Sequence, residues 1–398
     1  MNLKHKKRFD YLFGGALIAL FKLPTMLLGA VLRRDHAPVL HKEVCFIKMQ
    51  GGGSLVIAFP ALLGLRRRYP ECRFRLVCTN SVRPFAACLG IFDEILTVDD
   101  HSPFHLLTSG TAILAKNFKV DTIIDLEVYS RLTTVFSLLT CARNRIGFYL
   151  ENTFWRQHIC SHLIFFNRYS GSFYFYEAIA RLLDAKVAEW TECGDFIRRN
   201  LPNTEEAENK GYRIAIGHAC SELGRERMLK KEQWGIVLNN YFDQAGKVEI
   251  IFLGGESDFE SAEDIIQYCK TLSDRPTYVN YCGKLIFNES ILYLAKSDEF
   301  IGIDSGLLHF ARILGVQCTS FWGPTDPATR LKLFPGLIEK IFYRKVACSP
   351  CVHVSEVPPC NGENICISCL YNDSEACCGN LTPFISGFKE KPAMKSGE

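Results

Sequence analysis

From residue 44 onward, short apolar runs alternate with amphipathic stretches. An apolar run bounded by glycine or polar residues reads as a strand buried on both faces, and a stretch of helical period reads as the helix that covers it. On this pattern strands are expected over 44–49, 74–78, 94–98, 120–125 and 145–148, with helices over about 54–69, 81–89 and 130–141. Residues 192–211 break the rhythm: they are polar and carry Pro202, Asn203, Glu205, Glu206 and Glu208. The alternation then restarts, with strands expected over 212–216, 248–253, 277–281, 299–303 and 317–321 and helices over 231–244, 262–272, 288–295 and 305–314. The expected fold class is therefore α/β, built as two successive halves, each a parallel sheet with helices on both faces. Ligands of such sheets sit beyond the carboxyl ends of the strands, so two halves offer a cleft between facing edges.

The chain before the first strand has another texture. Lys4, Lys6, Lys7 and Arg8 precede a mostly apolar stretch over 11–32, and Arg33 and Arg34 close it. Lys22 and Pro24 interrupt the stretch near its middle. A cleavable secretory signal needs an unbroken apolar core and a small-residue cleavage site. A spanning helix needs about 20 apolar residues without a central charge. Basic residues at both ends give no orientation bias. The segment reads as one that lies in the membrane interface with a basic rim for anionic lipid. A soluble helix packed on the body and a true span are the two alternatives.

Composition narrows the class only a little. At 398 residues the chain exceeds one ordinary domain. Lys plus Arg is 46 against 43 for Asp plus Glu, a net +3, so charge gives no argument for nucleic-acid binding. No short repeat, heptad run or low-complexity tract is present, which speaks against a solenoid, propeller or coiled coil. Of 18 cysteines, eleven are scattered singly through the chain, as Cys45, Cys78 and Cys282 are, and read as small buried hydrophobes of a reducing compartment. The other seven lie between Cys348 and Cys378.

The loops after the strands of the second half carry the candidate chemistry. They read Gly217-His218-Ala219, Gly254-Gly255-Glu256, Asp304-Ser305-Gly306 and Trp322-Gly323-Pro324-Thr325-Asp326-Pro327. In a parallel sheet all four share one edge. Small residues there let a ligand approach the backbone, and the helix starting near Ser305 offers unpaired N–H groups to an anion. Ser305 and His309 are four apart and share a helix face, within reach of a phosphate at that N-terminus. Taken singly, Asp304-Ser305 also fits a plain helix N-cap, and His309 a satisfied core histidine.

The run Asp304-Ser305-Gly306-Leu307-Leu308-His309-Phe310-Ala311, followed by a strand and then Gly323-Pro324-Thr325-Asp326-Pro327, resembles the signature of glycosyltransferase family 9, the ADP-heptose:lipopolysaccharide heptosyltransferases. The resemblance extends over about residues 44–334. Residues 53–60 look like the family's first-strand loop. Asp121, Asp125 and Arg145-Ile146-Gly147-Phe148 look like its second signature. Residues 280–284 with Glu289 look like the segment before the Asp-Ser-Gly turn.

The resemblance implies a GT-B fold of two Rossmann-like domains facing across a cleft, an inverting mechanism, no cofactor and no metal for catalysis. Its domain plan is a membrane-associating segment over 1–43, an acceptor domain over 44–190, a linker over 191–211, a nucleotide-sugar donor domain over 212–346 and a Cys-rich tail over 347–398. A helix near the C-terminus is expected to cross back onto the first half. The donor-binding set implied is Gly217, Gly254, Asp304, Ser305, Gly306, Leu307, His309 and Thr325. Ser305, His309 and the N–H groups of Gly306 and Leu307 hold the diphosphate, and Asp304 contacts donor hydroxyls. Gly51, Gly52 and Gly53 form the acceptor-side loop.

The family carries an aspartate directly after the glycine of that loop as general base, and this chain has Ser54 in the slot. A serine hydroxyl is no base at neutral pH unless another group removes its proton. Glu127, just past the strand ending at Asp125, is the expected substitute, with helix capping near Ser130 as its plain alternative. The family's basic residue ahead of a tryptophan aligns best with Arg227, with Arg225 next, unless the loop is simply solvated. Cys348, Cys351, Cys366 and Cys369 form two C-x-x-C pairs that suit structural zinc, disulfides or free thiols.

The expectation is an enzyme at the inner, cytoplasmic face of the membrane. It moves a heptose or similar sugar from an ADP-heptose-like donor to a lipopolysaccharide-type or other lipid-linked acceptor. The alternative is a non-catalytic sugar-nucleotide or glycolipid-binding protein on the same fold.

Overall fold

The computed structural model describes residues 3–150, 155–202, 211–220, 224–241, 247–352, 358–361 and 364–368. Twelve strands form two sheets of six. The first sheet holds β1 (Glu43–Lys48), β2 (Arg73–Thr79), β3 (Glu94–Val98), β4 (Thr122–Asp125), β5 (Asn144–Tyr149) and β6 (His162–Phe165). The second holds β7 (Tyr212–Gly217), β8 (Val248–Phe252), β9 (Thr277–Asn280), β10 (Glu299–Ile303), β11 (Gln317–Trp322) and β12 (Glu339–Tyr343). The orders are β3-β2-β1-β4-β5-β6 and β9-β8-β7-β10-β11-β12, every pairing parallel. Both halves thus have one winding, and the expected GT-B arrangement is the observed one.

The helices are α1 (Leu3–Phe9), α2 (Gly15–Leu32), α3 (Gly52–Arg68), α4 (Arg83–Leu89), α5 (Pro103–Lys116), α6 (Arg131–Leu139), α7 (Phe173–Leu182), α8 (Trp190–Asn200), α9 (Lys231–Leu238), α10 (Phe259–Leu272), α11 (Phe287–Ala295), α12 (Gly306–Ile313) and α13 (Ile365–Ser368). The central strands are buried along almost their whole length because helices cover both faces. Two strands beyond the expected ten, β6 and β12, sit at the sheet edges. Their apolar runs are short because one side of an edge strand faces solvent.

The expected linker is in part ordered helix. Residues 190–200 form α8, which starts on a capping box in which Glu192 accepts from the Glu189 N–H at 2.9 Å. It buries Cys193, Gly194 and Ile197 at helical spacing. Glu205, Glu206 and Glu208 lie outside the described residues. So does the C-terminal segment expected to cross back onto the first half.

At the N-terminus, α1, a π-helical turn over Asp10–Gly14 and α2 form one continuous rod along α6. The Asp10 carboxylate accepts from the Ser130 hydroxyl at 2.6 Å and from the Arg131 and Leu132 N–H groups at 2.9 and 3.0 Å. It thereby caps α6 from outside. Ile18 packs against Val135 and Ile159, while Leu20, Leu23, Leu27 and Leu28 on the same rod are exposed. Past the rod, the Arg34 guanidinium donates to the Cys141 carbonyl at 3.1 Å, and His36 Nδ1 lies 2.6 Å from the Arg143 carbonyl.

The two halves share apolar core, with Leu55, Phe59, Leu308 and Phe310 in one cluster. Trp190 stacks on Phe334 with centroids 5.4 Å apart, and Lys332 pairs with Glu177 at 2.5 Å. Gly194 lets α8 press on α12, since a Cβ there would sit 2.4 Å from the Ile313 carbonyl oxygen. Backbone cannot yield as a side-chain tip can. Gly194→Ala is therefore expected to destabilise the protein by about 1–3 kcal/mol despite the better helix propensity of alanine, read as a lower midpoint in thermal denaturation; an unchanged or raised midpoint would show that α8 is free to move.

Candidate active site

In this winding the crevice opens where the chain reverses direction across the sheet, between β1 and β4 in one half and between β7 and β10 in the other. The expected site residues cluster at these two points.

On the first-half side, β1 runs into Gly51, which turns with a φ of 76°, and α3 begins at Gly52. The left-handed turn favours glycine at 51. The Ser54 hydroxyl donates to the Gly51 carbonyl at 2.7 Å, so the family's base position is taken up by a loop-internal bond. Glu127 does not cap α6, because Ser130 and Asp10 do. Its Oε1 accepts from Lys48 Nζ at 3.0 Å and from the Met49 and Gln50 N–H groups at 2.8 and 3.0 Å. Glu127 therefore clamps the acceptor-side loop through one oxygen, and its Oε2 makes no hydrogen bond among the described residues.

The Glu127 loop is itself held by Arg156, a residue the sequence reading did not single out. Arg156 is fully buried. Its guanidinium donates to the Glu127 carbonyl at 2.6 Å, the Ser130 carbonyl at 3.2 Å, the Phe148 carbonyl at 2.7 Å and Asp125 Oδ2 at 3.3 Å. Burial pushes the Asp125 carboxyl up to about 6 even so, with the charge of Arg156 and the Thr133 hydroxyl opposing.

On the second-half side Asp304 is the hub. Its Oδ2 accepts from Arg227 at 3.0 Å and from the Thr325 hydroxyl at 2.8 Å, and Arg227 also donates to the Asp304 carbonyl at 2.7 Å. Burial works to raise this carboxyl, but Arg227, Arg330, His309 and Thr325 together hold it below its ordinary value. The carboxylate is 4% exposed and positions Arg227 and Thr325 through Oδ2. Its Oδ1 makes no hydrogen bond among the described residues and lies 3.9 Å from His309 Nε2, so the expected contact with donor hydroxyls falls to that oxygen. The Arg227 loop is correspondingly not a solvated one, whereas Arg225 is exposed.

The groups left for a ligand are Ser305, His309 and the start of α12. Ser305 has the backbone of an N-cap but makes no capping bond, and its buried hydroxyl has no protein partner. The first-turn N–H groups of α12, those of Gly306 and Leu307 included, have no intrahelical acceptor. His309 is not a satisfied core histidine: its Nε2 lies 3.9 Å from Asp304 Oδ1, beyond hydrogen-bond length. Burial lowers its pKa to about 4 against the pull of Asp304, so at neutral pH the imidazole is uncharged.

The two sides meet. A Cβ on Gly53 would lie 3.1 Å from His309 Cδ2 and 3.3 Å from Gly306 Cα. Phe85 is wedged between the helix starts, its ring 2.3 Å from where a Cβ would stand on either Gly52 or Gly306. The same ring packs on Phe287 and Phe310, with centroids 4.6 and 6.1 Å away. Beneath, a narrow cavity is lined by Pro60, Glu177, His309, Arg312, Arg330 and Lys332. Gly217 and Gly254 lie at the ends of β7 and β8, but their missing side chains serve internal packing. A Cβ would meet the Phe300 ring at 2.6 Å and the Asp258 carboxylate at 2.8 Å. Phe85, Arg156 and Arg330 escaped the sequence reading because each acts on residues distant in sequence.

Cys348, Cys351 and Cys366 are free thiols, and Cys369 lies outside the described residues. Among the described residues no group of three or more His, Cys, Asp or Glu is placed to hold a metal, so zinc has no support there.

Two sheets of one winding with an anion-ready helix start at their shared cleft define a GT-B fold. Residues 190–358 match the sequence profile of glycosyltransferase family 9 (heptosyltransferase). No curated protein matches the chain. Its fold resembles a family 9 glycosyl transferase from Veillonella parvula, at TM-score 0.58 and 16% identity over 77% of this chain and 87% of that one. It also resembles E. coli ADP-heptose lps heptosyltransferase II, at TM-score 0.56 and 14% identity over 82% and 97%. E. coli heptosyltransferase WaaC with ADP is similar at TM-score 0.56 and 15% identity over 75% and 92%.

The depressed pKa of His309 has a testable consequence. Between its ordinary 6.5 and about 4, the unfolded chain protonates this imidazole and the folded chain does not. The residue therefore withdraws stability as pH falls through that window, by up to about 1.4 kcal/mol per pH unit. Asp125, raised to about 6, acts in the opposite sense over much of the same window, because the folded chain takes that proton first. The parent's own profile also carries the lowered pKa values of His162 and His218, so the difference is what isolates His309: His309→Asn should gain on the parent as pH falls from 6.5 toward 4, with no pH trend in the difference above 7. Urea denaturation at stepped pH reads the difference; a flat difference curve throughout would mean the imidazole titrates normally.

Proposed function

We propose that this protein transfers a heptose or similar sugar from a nucleotide-diphosphate donor to a hydroxyl of a lipid-linked, lipopolysaccharide-type acceptor, with inversion. The observation that carries the reading is the unpartnered Ser305 hydroxyl beside His309 at the uncapped start of α12, facing the loop that starts α3. Helix-end N–H groups favour the diphosphate. The nearby guanidinium of Arg227 stabilises charge that develops on it as it departs. In the step proposed, the acceptor oxygen bonds to the anomeric carbon from the face opposite the nucleotide. The bond from that carbon to the diphosphate oxygen breaks, its electron pair leaves on the diphosphate, and the hydroxyl proton passes to a carboxylate. Glu127 is assigned as that base through Oε2, while Oε1 keeps the loop in place.

A cytoplasmic, membrane-surface location fits a lipid-linked acceptor. The rod up to Leu32 is the one described helix long and apolar enough to cross a bilayer. Its start is tied to the N-terminal end of α6 by Asp10, and the chain just past it to the other end by Arg34. A helix with both ends held to one body favours lying along a surface over crossing it. The second reading, a non-catalytic binding protein, is favoured by the engaged Ser54 hydroxyl and by the three donors on Glu127 Oε1.

Glu127→Gln keeps an oxygen for the loop amides but cannot accept the proton. With an active donor and acceptor pair it should cut kcat by about 10² to 10⁴ while donor Kd is unchanged. Parental turnover would remove Glu127 as the base. If no pair turns over in the parent or in Ser54→Asp, the binding-protein reading prevails.

A further inference from the structure

A second concavity lies at the opposite end of the first sheet from the cleft, beside the amino ends of β1 and β4. It is an open depression of about 1020 Å³, its mouth included, and its lining includes Arg34, Lys42, Glu43, Lys119, Asp121 and Arg143. His41 and Cys141 also border it. The acids are already matched: Glu43 pairs with Arg75 at 3.1 Å and Asp121 with Arg143 at 2.9 Å. The exposed Asp35 nearby accepts from its own loop at the Ala37 N–H. Arg34 donates to a carbonyl, and Lys42 and Lys119 meet no carboxylate among the described residues. The lining therefore carries three cations without a carboxylate partner among the described residues, Arg34, Lys42 and Lys119, against the single further carboxylate nearby, that of Asp35. Lys119 occupies a left-handed backbone position, φ 62°, where glycine or asparagine would be less strained.

The rim is apolar. Val31 and Leu32 are 77% and 56% exposed directly before Arg33 and Arg34. Val39, Phe118 and Leu139 are exposed within two residues of lining positions, and Lys119 Nζ lies 5.6 Å from the Phe118 ring centroid. Basic side chains in a hollow, surrounded by exposed aliphatic and aromatic side chains at the end of an apolar helix, match the layering of a lipid surface. Phosphate lies at the depth of the cations, and acyl chain at the depth of the rim.

We propose that this basic hollow binds the phosphate of an anionic phospholipid headgroup and fixes the far end of the N-terminal rod to the bilayer. The assignment rests on the reading of that rod as an interfacial helix. With the cleft end of the rod at Asp10 and the hollow at Arg34, the protein touches the membrane along the strand direction, and the cleft stands at the edge of the contact.

The test uses the full chain with vesicles of phosphatidylcholine alone and of phosphatidylcholine with added phosphatidylglycerol, read by co-sedimentation. The parent should bind both and prefer the anionic vesicles. Lys42→Gln/Lys119→Gln should lose about 30-fold of affinity for the anionic vesicles, from about 1 kcal/mol per cation at a charged surface, and none for the neutral ones. Both lysines are exposed, so the double variant should keep its fold. An undiminished anionic preference in the double variant overturns the hollow and leaves the interfacial helix standing. Failure of the parent to bind either vesicle overturns both. Binding of inorganic phosphate that the double variant loses, with no vesicle preference in the parent, makes the hollow a soluble-phosphate site and overturns the lipid assignment.

Discussion

Two helix N-termini meet in the cleft with the Phe85 ring wedged between them. α3 opens on Gly52 and Gly53 and α12 on Gly306, and neither carries an acid in its first turn. Each start presents about half a positive charge. Their approach is unfavourable in the empty protein and turns favourable when an anion lies between them. The glycines admit this approach together with the Phe85 ring, which would collide with a Cβ on either Gly52 or Gly306. Without these glycines the halves could not close so far, and the unpartnered Ser305 and His309 would face solvent instead of the opposite loop. The apolar core shared by the halves therefore holds together a site that is electrostatically incomplete without a ligand.

Beneath each helix start lies the same device. β4 and β10 hold the same place in their sheets, and each ends on or runs directly into a buried aspartate, Asp125 and Asp304. Each aspartate is held by an arginine and a threonine: Arg156 and Thr133 in the first half, Arg227 and Thr325 in the second. The outcomes differ because the arginines are spent differently. Arg156 divides its donors among three carbonyls and reaches Asp125 only at 3.3 Å, so burial prevails and the carboxyl rises. Arg227 meets Asp304 at 3.0 Å with Arg330 adding positive potential, so the carboxyl is held below its ordinary value. The second half is thus built around a fixed negative charge that orients cations, and the first around a buried carboxyl pushed up to about 6.

The parts of this design legible in the sequence are those written in local pattern. The ten strands read from apolar runs are the eight inner ones and the edge strands β3 and β9. The edge strands β6 and β12 carry four and five residues with exposed positions, too short and too mixed to stand out. Asp304, Ser305, His309 and Thr325 were found because they fall in one motif, and Arg227 because it precedes Trp234 at family-like spacing. Arg156 and Phe85 were not found. Arg156 serves Asp125 and Glu127, 31 and 29 residues earlier, and Phe85 serves glycines in two different halves. No local signal encodes such partners.

The segment over residues 127–132 ties the membrane reading to the chemistry. Arg156 grips its Glu127 and Ser130 carbonyls from inside the protein, and Asp10 grips the Ser130 hydroxyl and the Arg131 and Leu132 amides from the N-terminal rod. Glu127 in turn fixes the amides of Met49 and Gln50, one residue before the glycine turn that starts α3. The rod therefore reaches the acceptor-side loop through two sets of hydrogen bonds, with no long-range rearrangement required. Asp10 accepts donors that α6 would otherwise leave unsatisfied at its first turn, which gives the rod a defined register on the body. On the proposed attachment of the rod to a membrane, that register would hold Glu127 at a set height above the lipid surface. The proposed lipid-linked acceptor hydroxyl would be confined to a layer of its own, so registering the two layers would reduce the search to two dimensions.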